Sequence, residues 1–461
     1  MMHVDFLLEV FRANPEKDAV VWRDQAISYR WLLDAVLGWR EDLRREAIPP
    51  GAVVSLEADF SPTSIALLLA LVERECIVVP LTSSVEMKKP EFRAIAQVEA
   101  IASVSAGDQA RLERTTAGAS HELYTRLRSA RHPGLVLFSS GSTGESKAAV
   151  HDFVPLLEKF KVRRHALRTL TFLLFDHIGG VNTLLYALSN AGCTVAVQER
   201  SPEAVCAAIE KHRVQLLPTS PTFINLLLAS EAYLDHDLAS LELVTYGTEV
   251  MPESTLARFH QIFPRVRLLQ TYGLSEVGIL RSQSRSSDSL WVKVGGEGFE
   301  TRVVDGMLEI RARSVMLGYL NAPSPFTADG WFPTGDAVEV DGEYLRIRGR
   351  QSEIINVGGE KVYPAEVESV LQSMEGVQDV TVSAEANPIT GQIVAAKVRL
   401  STGETLPEFR ARMRRFCRDR LPVFKIPQKV TLVDEAMHGE RFKKQRRAPR
   451  ARTSSPEESD L

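Results

Sequence analysis

The sequence predicts an α/β fold, with a large N-terminal domain of helix-covered, mostly parallel sheets followed by a small α+β C-terminal domain. Three observations predict it. Apolar runs of strand length alternate with helical patterns to about residue 280, short strands and turns follow, and the C-terminal part carries its own helices and strands. Such alternation is typical of parallel sheets covered by helices. The 461 residues are enough for two or three domains.

The first elements follow from periodicity and capping signals. A helix is predicted from Tyr29 to Leu43, because the apolar residues of this segment fall on one helical face. Further helices are predicted to begin at Ser61-Pro62 and Ser201-Pro202, where a capping hydroxyl precedes a proline. The helix that opens at Ser61 leads into a strand-length apolar run, and similar runs recur along the chain: IVVPL, GLVLF, TVAVQE, LELVTYG and RLLQTYG.

The pattern changes near Gly296. Short strands with Asp-Gly turns at Asp305-Gly306 and Asp341-Gly342 predict a small antiparallel β subdomain over about 296–349. The order helix, strand, strand, helix, strand then predicts a compact α+β unit. We therefore place an N-terminal domain at 1–349 and a C-terminal domain at 350–447. The remaining residues, 448–461, are rich in Pro, Ser, Arg and Glu and predict a disordered tail.

Composition narrows the class of protein. A net charge of −4 gives no reason to expect binding to nucleic acid or to a membrane surface. The N-terminal segment contains Asp5 and Glu9, which makes it a poor signal peptide, and the apolar run 65–72 is too short to span a bilayer. The cysteines form no CxxC pair, which argues against a zinc site and favours a cytoplasmic location. The sequence does not predict the oligomeric state.

A Gly/Ser segment directly after the run GLVLF is a candidate anion-binding loop. It comprises Ser139, Ser140, Gly141, Ser142, Thr143, Gly144, Glu145, Ser146 and Lys147. Glycines allow tight turns, and hydroxyl and free N–H groups can surround an anion. Most Gly/Ser segments are flexible surface loops, but the preceding buried strand and the closing lysine favour anion binding. The segment is neither a Walker loop nor the GxSxG elbow of a hydrolase.

Together with five later motifs, this loop resembles the acyl-adenylate-forming (AMP-binding) superfamily of acyl- and aryl-CoA ligases, luciferases and peptide-synthetase adenylation domains. The motifs are Phe175-Asp176-His177-Ile178-Gly179-Gly180, Gly247-Thr248-Glu249, Tyr272-Gly273-Leu274-Ser275-Glu276, Gly330 to Asp336, and Gly349-Arg350 through Lys361 with Glu366. Ser275 replaces the threonine of the family's YGxTE. Taken singly, each residue has a structural explanation, such as a surface carboxylate or a buried core histidine. The ordered set favours the family.

The resemblance implies a role for each motif. ATP would be held by Ser139, Ser140, Gly141, Ser142, Thr143, Gly144, Lys147, Gly247, Thr248, Glu249, Tyr272, Gly273, Ser275, Asp336 and Arg350. The acyl substrate would lie against Asp176, His177, Gly179, Gly247 and Gly273. The catalytic set would be Lys443, Thr143, Glu276 and His177, with Glu276 also the Mg²⁺ ligand. After rotation of the C-terminal domain about a hinge at Ser352, Gly358 and Gly359 would line the thiol channel.

The C-terminal lysine is the weakest match. The family places it in a GKxxR motif, and this chain offers Arg441-Phe442-Lys443-Lys444-Gln445-Arg446. Aligning Lys443 and Arg446 with the family's lysine and arginine puts Phe442 at the glycine position. Lys444 is the alternative lysine. A basic run of this kind is also commonly a solvated tail.

The reaction implied is activation of a small carboxylic acid by Mg-ATP to an acyl-adenylate, then transfer to the thiol of coenzyme A or a phosphopantetheinyl carrier protein. Asp176 lies where amino-acid-activating relatives bind the substrate ammonium group. The segment Asp-His-Ile-Gly-Gly also resembles that of ligases for simple acids, and we prefer an acid without an α-amino group as the substrate. An amino-acid or aryl-acid enzyme that loads a carrier protein is an alternative. The alternative of another class is a non-catalytic nucleotide-binding relative, motivated by Ser275 and Phe442.

Overall fold

The computed structural model describes residues 3–140, 146–296, 298–439 and 441–446. Two of the predicted helices begin at capping serines: the Oγ atoms of Ser61 and Ser201 accept hydrogen bonds from the backbone N atoms of Ser64 and Ala204. The α-helices are α1 (Asp5–Ala13), α2 (Tyr29–Arg45), α3 (Pro62–Glu73), α4 (Lys89–Ile95), α5 (Glu122–Ala130), α6 (Phe153–Leu157), α7 (Ile178–Ser189), α8 (Pro202–His212), α9 (Pro221–Ser230), α10 (Glu253–Ile262), α11 (Pro364–Gln372) and α12 (Leu406–Cys417).

Each predicted apolar run in the first 280 residues contains a strand or the greater part of one. The strands of this part are β1 (Asp18–Trp22), β2 (Gln25–Ser28), β3 (Val53–Glu57), β4 (Ile77–Leu81), β5 (Ala100–Val104), β6 (Ala110–Arg114), β7 (Gly134–Ser140), β8 (Ser146–Asp152), β9 (Arg168–Leu170), β10 (Cys193–Ala196), β11 (Leu216–Thr219), β12 (Leu243–Tyr246), β13 (Arg267–Gln270), β14 (Gly273–Leu274) and β15 (Gly278–Ile279).

The later strands are mostly antiparallel. They are β16 (Ser282–Ser284), β17 (Trp291–Val294), β18 (Phe299–Val304), β19 (Met307–Ala312), β20 (Gly318–Tyr319), β21 (Phe332–Asp341), β22 (Tyr344–Arg350), β23 (Ile355–Val357), β24 (Glu360–Val362), β25 (Val377–Asn387), β26 (Gly391–Leu400) and β27 (Lys429–Leu432).

Two seven-stranded sheets form the N-terminal domain, in the orders β13-β12-β11-β9-β10-β1-β2 and β20-β8-β7-β4-β3-β5-β6. The antiparallel pairs are β1 with β2, β5 with β6, β7 with β8 and β8 with β20, and the other neighbouring pairs are parallel. One core cluster joins residues of both sheets to α1, α2, α3 and α7. Helices α3 and α7 are buried on nearly every face, which identifies them as helices packed between the two sheets.

A six-stranded antiparallel sheet, β16-β17-β22-β21-β19-β18, follows. It begins at Ser282, so two of its strands precede the predicted start near Gly296. The hairpin between β18 and β19 turns at Asp305 and Gly306, whose φ angles are +51° and +77°. A two-residue hairpin turn needs positive φ at both positions, which explains the Asp-Gly pair.

The C-terminal unit has a sheet in the order β24-β23-β26-β25, with β27 on β26, and packs α11 and α12 around its own core. It contains the predicted order of helix, strand, strand, helix and strand. The short 3₁₀ helix Gln351–Glu353 connects it to β22. These sheets and layers confirm the predicted fold class. Within the described ranges, no helix combines the length and apolar character needed to cross a bilayer.

Candidate active site

The described ends of the Gly/Ser segment lie on two antiparallel strands. Strand β7 runs on through Ser139 and Ser140, and β8 starts at Ser146, so that Ser139 lies opposite Lys147. The predicted residues Gly141, Ser142, Thr143 and Gly144 lie outside the described residues. The predicted phosphate-binding lysine, Lys147, is held on β8, one residue after its start.

Lys147 and the predicted metal ligand Glu276 meet at Tyr319. The Lys147 Nζ atom lies 5.3 Å from the centroid of the Tyr319 ring. The Tyr319 hydroxyl donates a hydrogen bond to Glu276 Oε1 at 2.9 Å. Tyr319 was missed by the sequence analysis because a lone tyrosine in a short strand carries no motif. Its hydroxyl fixes the orientation of the Glu276 carboxylate.

Asp336 is buried and contacts the buried Tyr272 and the more exposed Arg350. The Tyr272 hydroxyl donates to Asp336 Oδ2 at 2.5 Å, and Arg350 Nε lies 2.9 Å from Asp336 Oδ1. Asp336 and Arg350 are also cross-strand partners of β21 and β22. Asp336 is 5% exposed. Burial raises the pKa of Asp336, and the charge of Arg350 opposes that rise.

Glu249 connects the N-terminal domain to the C-terminal segment. Its Oε2 atom accepts a hydrogen bond from Thr222 Oγ1 at 2.5 Å, and its Oε1 atom accepts one from the Lys444 backbone N at 2.6 Å. Two residues earlier, a Cβ on Gly247 would lie 2.8 Å from Thr271 Oγ1 and 2.9 Å from Thr271 O. Any side chain at position 247 would therefore displace the neighbouring strand end.

The two adjacent lysines point to different surroundings. Lys443 lies among predicted site residues: burial and the cations Arg441 and Arg350 lower its pKa, whereas Glu249 and Glu276 raise it. Burial is the largest of these effects, so the pKa of Lys443 is lowered overall.

Lys444 instead belongs to a network of the C-terminal unit. Its Nζ atom donates to Val380 O at 2.7 Å and to Glu368 Oε2 at 3.4 Å. Arg446 binds the same carboxylate through Nε at 3.0 Å and Nη2 at 2.8 Å. Burial opposes ionisation of Glu368, but Arg446 and Lys444 hold its pKa at about 2.

Asp176 and His177 precede α7 at the predicted acyl site. Asp176 is 4% exposed, and its Oδ2 atom accepts hydrogen bonds from Thr82 Oγ1 at 3.0 Å and from Arg441 Nη2 at 3.1 Å. Its Oδ1 atom is buried and has no hydrogen-bond partner among the described residues. The sequence analysis missed Thr82, which carries no motif, and gave Arg441 no role, although it lies only two residues before Lys443.

His177 is partly buried and caps α7. Its Nδ1 atom accepts a hydrogen bond from Gly179 N at 3.0 Å. Burial, and then the charges of Lys443 and Arg441, lower the pKa of His177 well below its usual value, so the imidazole is neutral. A Cβ on Gly180 would lie 1.9 Å from the backbone O of Leu174, which explains the glycine there.

The remaining predicted residues lie around this cluster or outside it. The backbone O of Ser275 contacts the buried His151 at 2.5 Å from Nε2, and Gly273 pairs with Ile279 in a short hairpin. Gly358 and Gly359 form the exposed turn between β23 and β24, with φ angles of +58° and +94°. Ser352 lies in the 3₁₀ helix after β22. Thr248 has a φ of +72°.

The chemistry of the cluster is that of a nucleotide and carboxylate site. Cationic side chains from both domains, Lys443, Arg350 and Arg441, lie with the carboxylates Glu276 and Asp336 around one region. Cations of this kind stabilise phosphate charge. The Glu276 carboxylate beside them suits a hydrated divalent ion. No group of three or more His, Cys, Asp or Glu side chains in the described ranges is arranged to hold a metal without help from a ligand.

Comparison with known proteins finds two family models that match the chain. The model of the family described as AMP-binding enzyme matches residues 7–320, and that of the AMP-binding enzyme C-terminal domain matches residues 366–443. An indoleacetate–CoA ligase of Aromatoleum aromaticum is 30% identical over 330 residues, which is 66% of this chain and 64% of the ligase. The chain thus spans less than two thirds of the length of the first relatives that it matches.

A more distant relative matches along a greater length. A feruloyl-CoA synthase of an Amycolatopsis species is 25% identical over 92% of this chain and 93% of its own. Among solved structures, that of the anthranilate CoA ligase AuaEII in complex with anthranoyl-AMP has a TM-score of 0.80 at 20% identity, covering 97% of this chain and 96% of its own. At that identity, the likeness shows the fold alone.

Proposed function

The chain belongs to the AMP-binding enzyme family, and we propose that it uses ATP to convert a carboxylic acid to an acyl-adenylate and then transfers the acyl group to a thiol. The observation that carries the proposal is the position of Lys443. The backbone N of the next residue, Lys444, donates a hydrogen bond to Glu249 Oε1 at 2.6 Å, so this segment lies against a predicted nucleotide-binding motif. The charges of Glu249, Glu276 and Arg350, from three such motifs, act on the Lys443 ammonium group. Lys444, the alternative, is engaged elsewhere.

The nucleotide would lie between the β7–β8 strand pair and Asp336. Ser139, Lys147 and the predicted residues between these two strands would bind the phosphates. Asp336, held by Tyr272 and Arg350, would accept hydrogen bonds from the ribose hydroxyl groups, since each carboxylate oxygen has a second lone pair. Glu249 and Gly247 would lie along adenine.

The donor chemistry around Glu276 fits Mg²⁺. The ion is commonly held by one or two carboxylates together with substrate phosphates and water, and Glu276 supplies one carboxylate, oriented by the Tyr319 hydroxyl. When bound, Mg²⁺ would neutralise part of the phosphate charge. The chain's own part is to orient Glu276 and to place Lys147 nearby.

In the first step, a carboxylate oxygen attacks the α-phosphorus of ATP in line and pyrophosphate leaves. The Lys443 ammonium group would bridge the attacking carboxylate and the phosphate, and Arg350 would add a second cation. Such groups accelerate the step because they are already oriented when charge develops. In the second step, a thiol attacks the carbonyl carbon and AMP leaves. We propose that the C-terminal domain rotates near Ser352 between the steps and brings Gly358 and Gly359 to the thiol channel.

The surroundings of Asp176 support an acid without an α-amino group. In the described structure, its Oδ2 atom is already paired with Arg441 and Thr82. An α-ammonium group placed there would face the Arg441 guanidinium, and two like charges in a partly buried site disfavour each other. The neutral His177 beside it would pack against an apolar acyl group. Aromatic acids come first in the test, because the relatives named above include an indoleacetate–CoA ligase and a feruloyl-CoA synthase.

Coenzyme A is the proposed acceptor, and a phosphopantetheinyl carrier protein is the alternative. Coenzyme A and the carrier protein present the same thiol arm. We prefer coenzyme A because the relatives named above form CoA thioesters.

Exchange of labelled pyrophosphate into ATP tests the proposal across a panel of acids. The panel contains indole-3-acetate, ferulate, anthranilate, hexanoate and L-phenylalanine, each assayed with and without coenzyme A for thioester formation. We expect acid-dependent exchange with at least one simple acid and little with L-phenylalanine. Tight ATP binding without exchange for any acid would instead identify a non-catalytic nucleotide-binding protein. Exchange with L-phenylalanine alone would contradict the proposed acid class.

A further inference from the structure

Phe442 has a backbone conformation that favours glycine. Its φ angle is +49°, in the left-handed region, where a Cβ approaches the backbone too closely for most residues. The family motif, as aligned above, has glycine at this position. A phenylalanine held there needs compensating contacts.

Those contacts come from the core of the N-terminal domain. The Phe442 ring lies 5.1 Å from the ring of Phe172 and 5.4 Å from that of Phe223, measured between centroids, and meets the latter edge to face at 89°. Phe172 and Phe223 are 1% and 0% exposed. On its other side, the ring of His438 stacks at 5.0 Å and 19°. The ring thus inserts between its own segment and the apolar core of the other domain.

Two polar contacts fix the same residue. The Arg200 guanidinium lies over the Phe442 ring at 5.4 Å and over Phe172 at 5.8 Å, so one cation faces both aromatic rings. Ser220 Oγ, the cap of α9, donates a hydrogen bond to the backbone O of Phe442 at 2.8 Å. Both the ring and the backbone of Phe442 are therefore bound to the N-terminal domain.

The domains do not pack tightly around this contact. A cavity of about 710 Å³ lies beside Phe442, with Arg200 on the N-terminal side and Gln378, Arg399 and His438 on the C-terminal side. Phe442 borders this gap and connects its two walls.

The residues on each side of Phe442 reach different parts of the site. Arg441 pairs with Asp176. The charges of Glu249 and Glu276 act on the ammonium group of Lys443 and raise its pKa against the effect of burial. The left-handed turn at position 442 sets the directions in which these two side chains leave the backbone.

We propose that Phe442 is a positioning residue that holds the C-terminal segment, with Lys443 and Arg441, in the adenylate-forming arrangement. The inference rests on the proposed function. If the second step needs domain rotation, Phe442 must leave the Phe172–Phe223 surface first. Phe442 therefore favours the first half-reaction at the expense of the second.

Three variants separate packing from backbone strain. Phe442→Ala removes the ring but keeps a Cβ in the left-handed conformation, Phe442→Gly removes both, and Phe442→Leu keeps apolar bulk. We expect Phe442→Ala to reduce pyrophosphate exchange about tenfold or more, because burial of an aromatic side chain is lost. Phe442→Gly should lose less, and Phe442→Leu least. Transfer to coenzyme A from the supplied acyl-adenylate of the best panel acid should be unchanged or faster in Phe442→Ala.

The proposal is tested by comparing the rates of acyl-adenylate formation and of transfer to coenzyme A in these variants. An equal fall in both steps, or no change in either, would overturn the proposal, and an unchanged melting temperature serves as the folding control. Failure of the proposed function looks different, since the wild type itself would then show no exchange.

Hydrogen–deuterium exchange over residues 437–446 provides a test that needs no substrate. The backbone N of Lys444 donates to Glu249, so its amide should be protected in the wild type. We expect faster exchange over this segment in Phe442→Ala, and an unchanged exchange rate would overturn the proposal.

Discussion

Replacing Lys443 by alanine should impair acyl-adenylate formation and spare acyl transfer. The ammonium group lies near Glu249, Glu276 and Arg350, where phosphate and carboxylate charges would meet. Loss of one pre-oriented electrostatic donor typically costs about 10²–10³ in rate. Arg350 remains as a second cation in the site, so we expect a loss near the lower limit, about 10²-fold.

Lys444→Ala is the matched control, one residue along the chain. It leaves the backbone N–H that binds Glu249 in place. It removes a hydrogen bond to Val380 O and one of the two cations on Glu368, which keeps Arg446 and the backbone N of Val382. Loss of such a buried hydrogen bond lowers the free energy of unfolding by about 1–3 kcal/mol. We therefore expect a less stable C-terminal domain with nearly normal exchange activity.

Both variants are assayed by pyrophosphate exchange, by transfer from supplied acyl-adenylate to coenzyme A, and by urea unfolding. Lys443→Ala should lose the first activity, keep the second and unfold like the wild type. The opposite pattern, with Lys444→Ala inactive in exchange and Lys443→Ala active, would show that the catalytic lysine is misassigned.

Three further predictions concern charge and the hinge. Burial lowers the pKa of Lys443, so as the pH rises this lysine loses its proton earlier than an ordinary lysine does. The rate of pyrophosphate exchange should therefore fall on the alkaline side. If Lys443→Arg leaves the pH dependence of exchange unchanged, this assignment is wrong. Glu276→Gln should raise the Mg²⁺ concentration needed for exchange without unfolding the protein, and an unaltered Mg²⁺ titration would show that the metal ligand is wrong. Ser352→Pro fixes φ near −65° in the connection between the domains, so we expect a burst of acyl-adenylate followed by slow thioester formation. Equal slowing of both steps would contradict a hinge there.

Local sequence signals predicted the elements well. The apolar run IVVPL is β4, and Ser61-Pro62 starts α3 with the capping contact that its residue types require. These predictions succeed because periodicity and capping depend on neighbours within one or two turns. Strand β8 was not predicted, since its sequence SKAAVHD begins with polar residues of the Gly/Ser segment.

Contacts between distant segments could not be predicted in the same way. Arg441 and Asp176 are 265 residues apart in the chain, and nothing in either segment indicates the other. The environment of Phe442 likewise depends on how the domains dock, so the sequence showed only a missing glycine. The motif residues were found because their order resembles a family, and their chemical roles stay predictions.

Tracing the carboxylate oxygen of the substrate tests most directly whether the reaction passes through an acyl-adenylate. The best panel acid, labelled with ¹⁸O in its carboxylate, is turned over with ATP and coenzyme A, and the AMP is analysed by mass spectrometry. A carboxylate oxygen that attacks the α-phosphorus becomes the bridging atom of the acyl-adenylate and leaves with AMP when the thiol attacks the carbonyl carbon. We expect AMP that carries one ¹⁸O atom. Unlabelled AMP, or ADP with labelled phosphate, would contradict it.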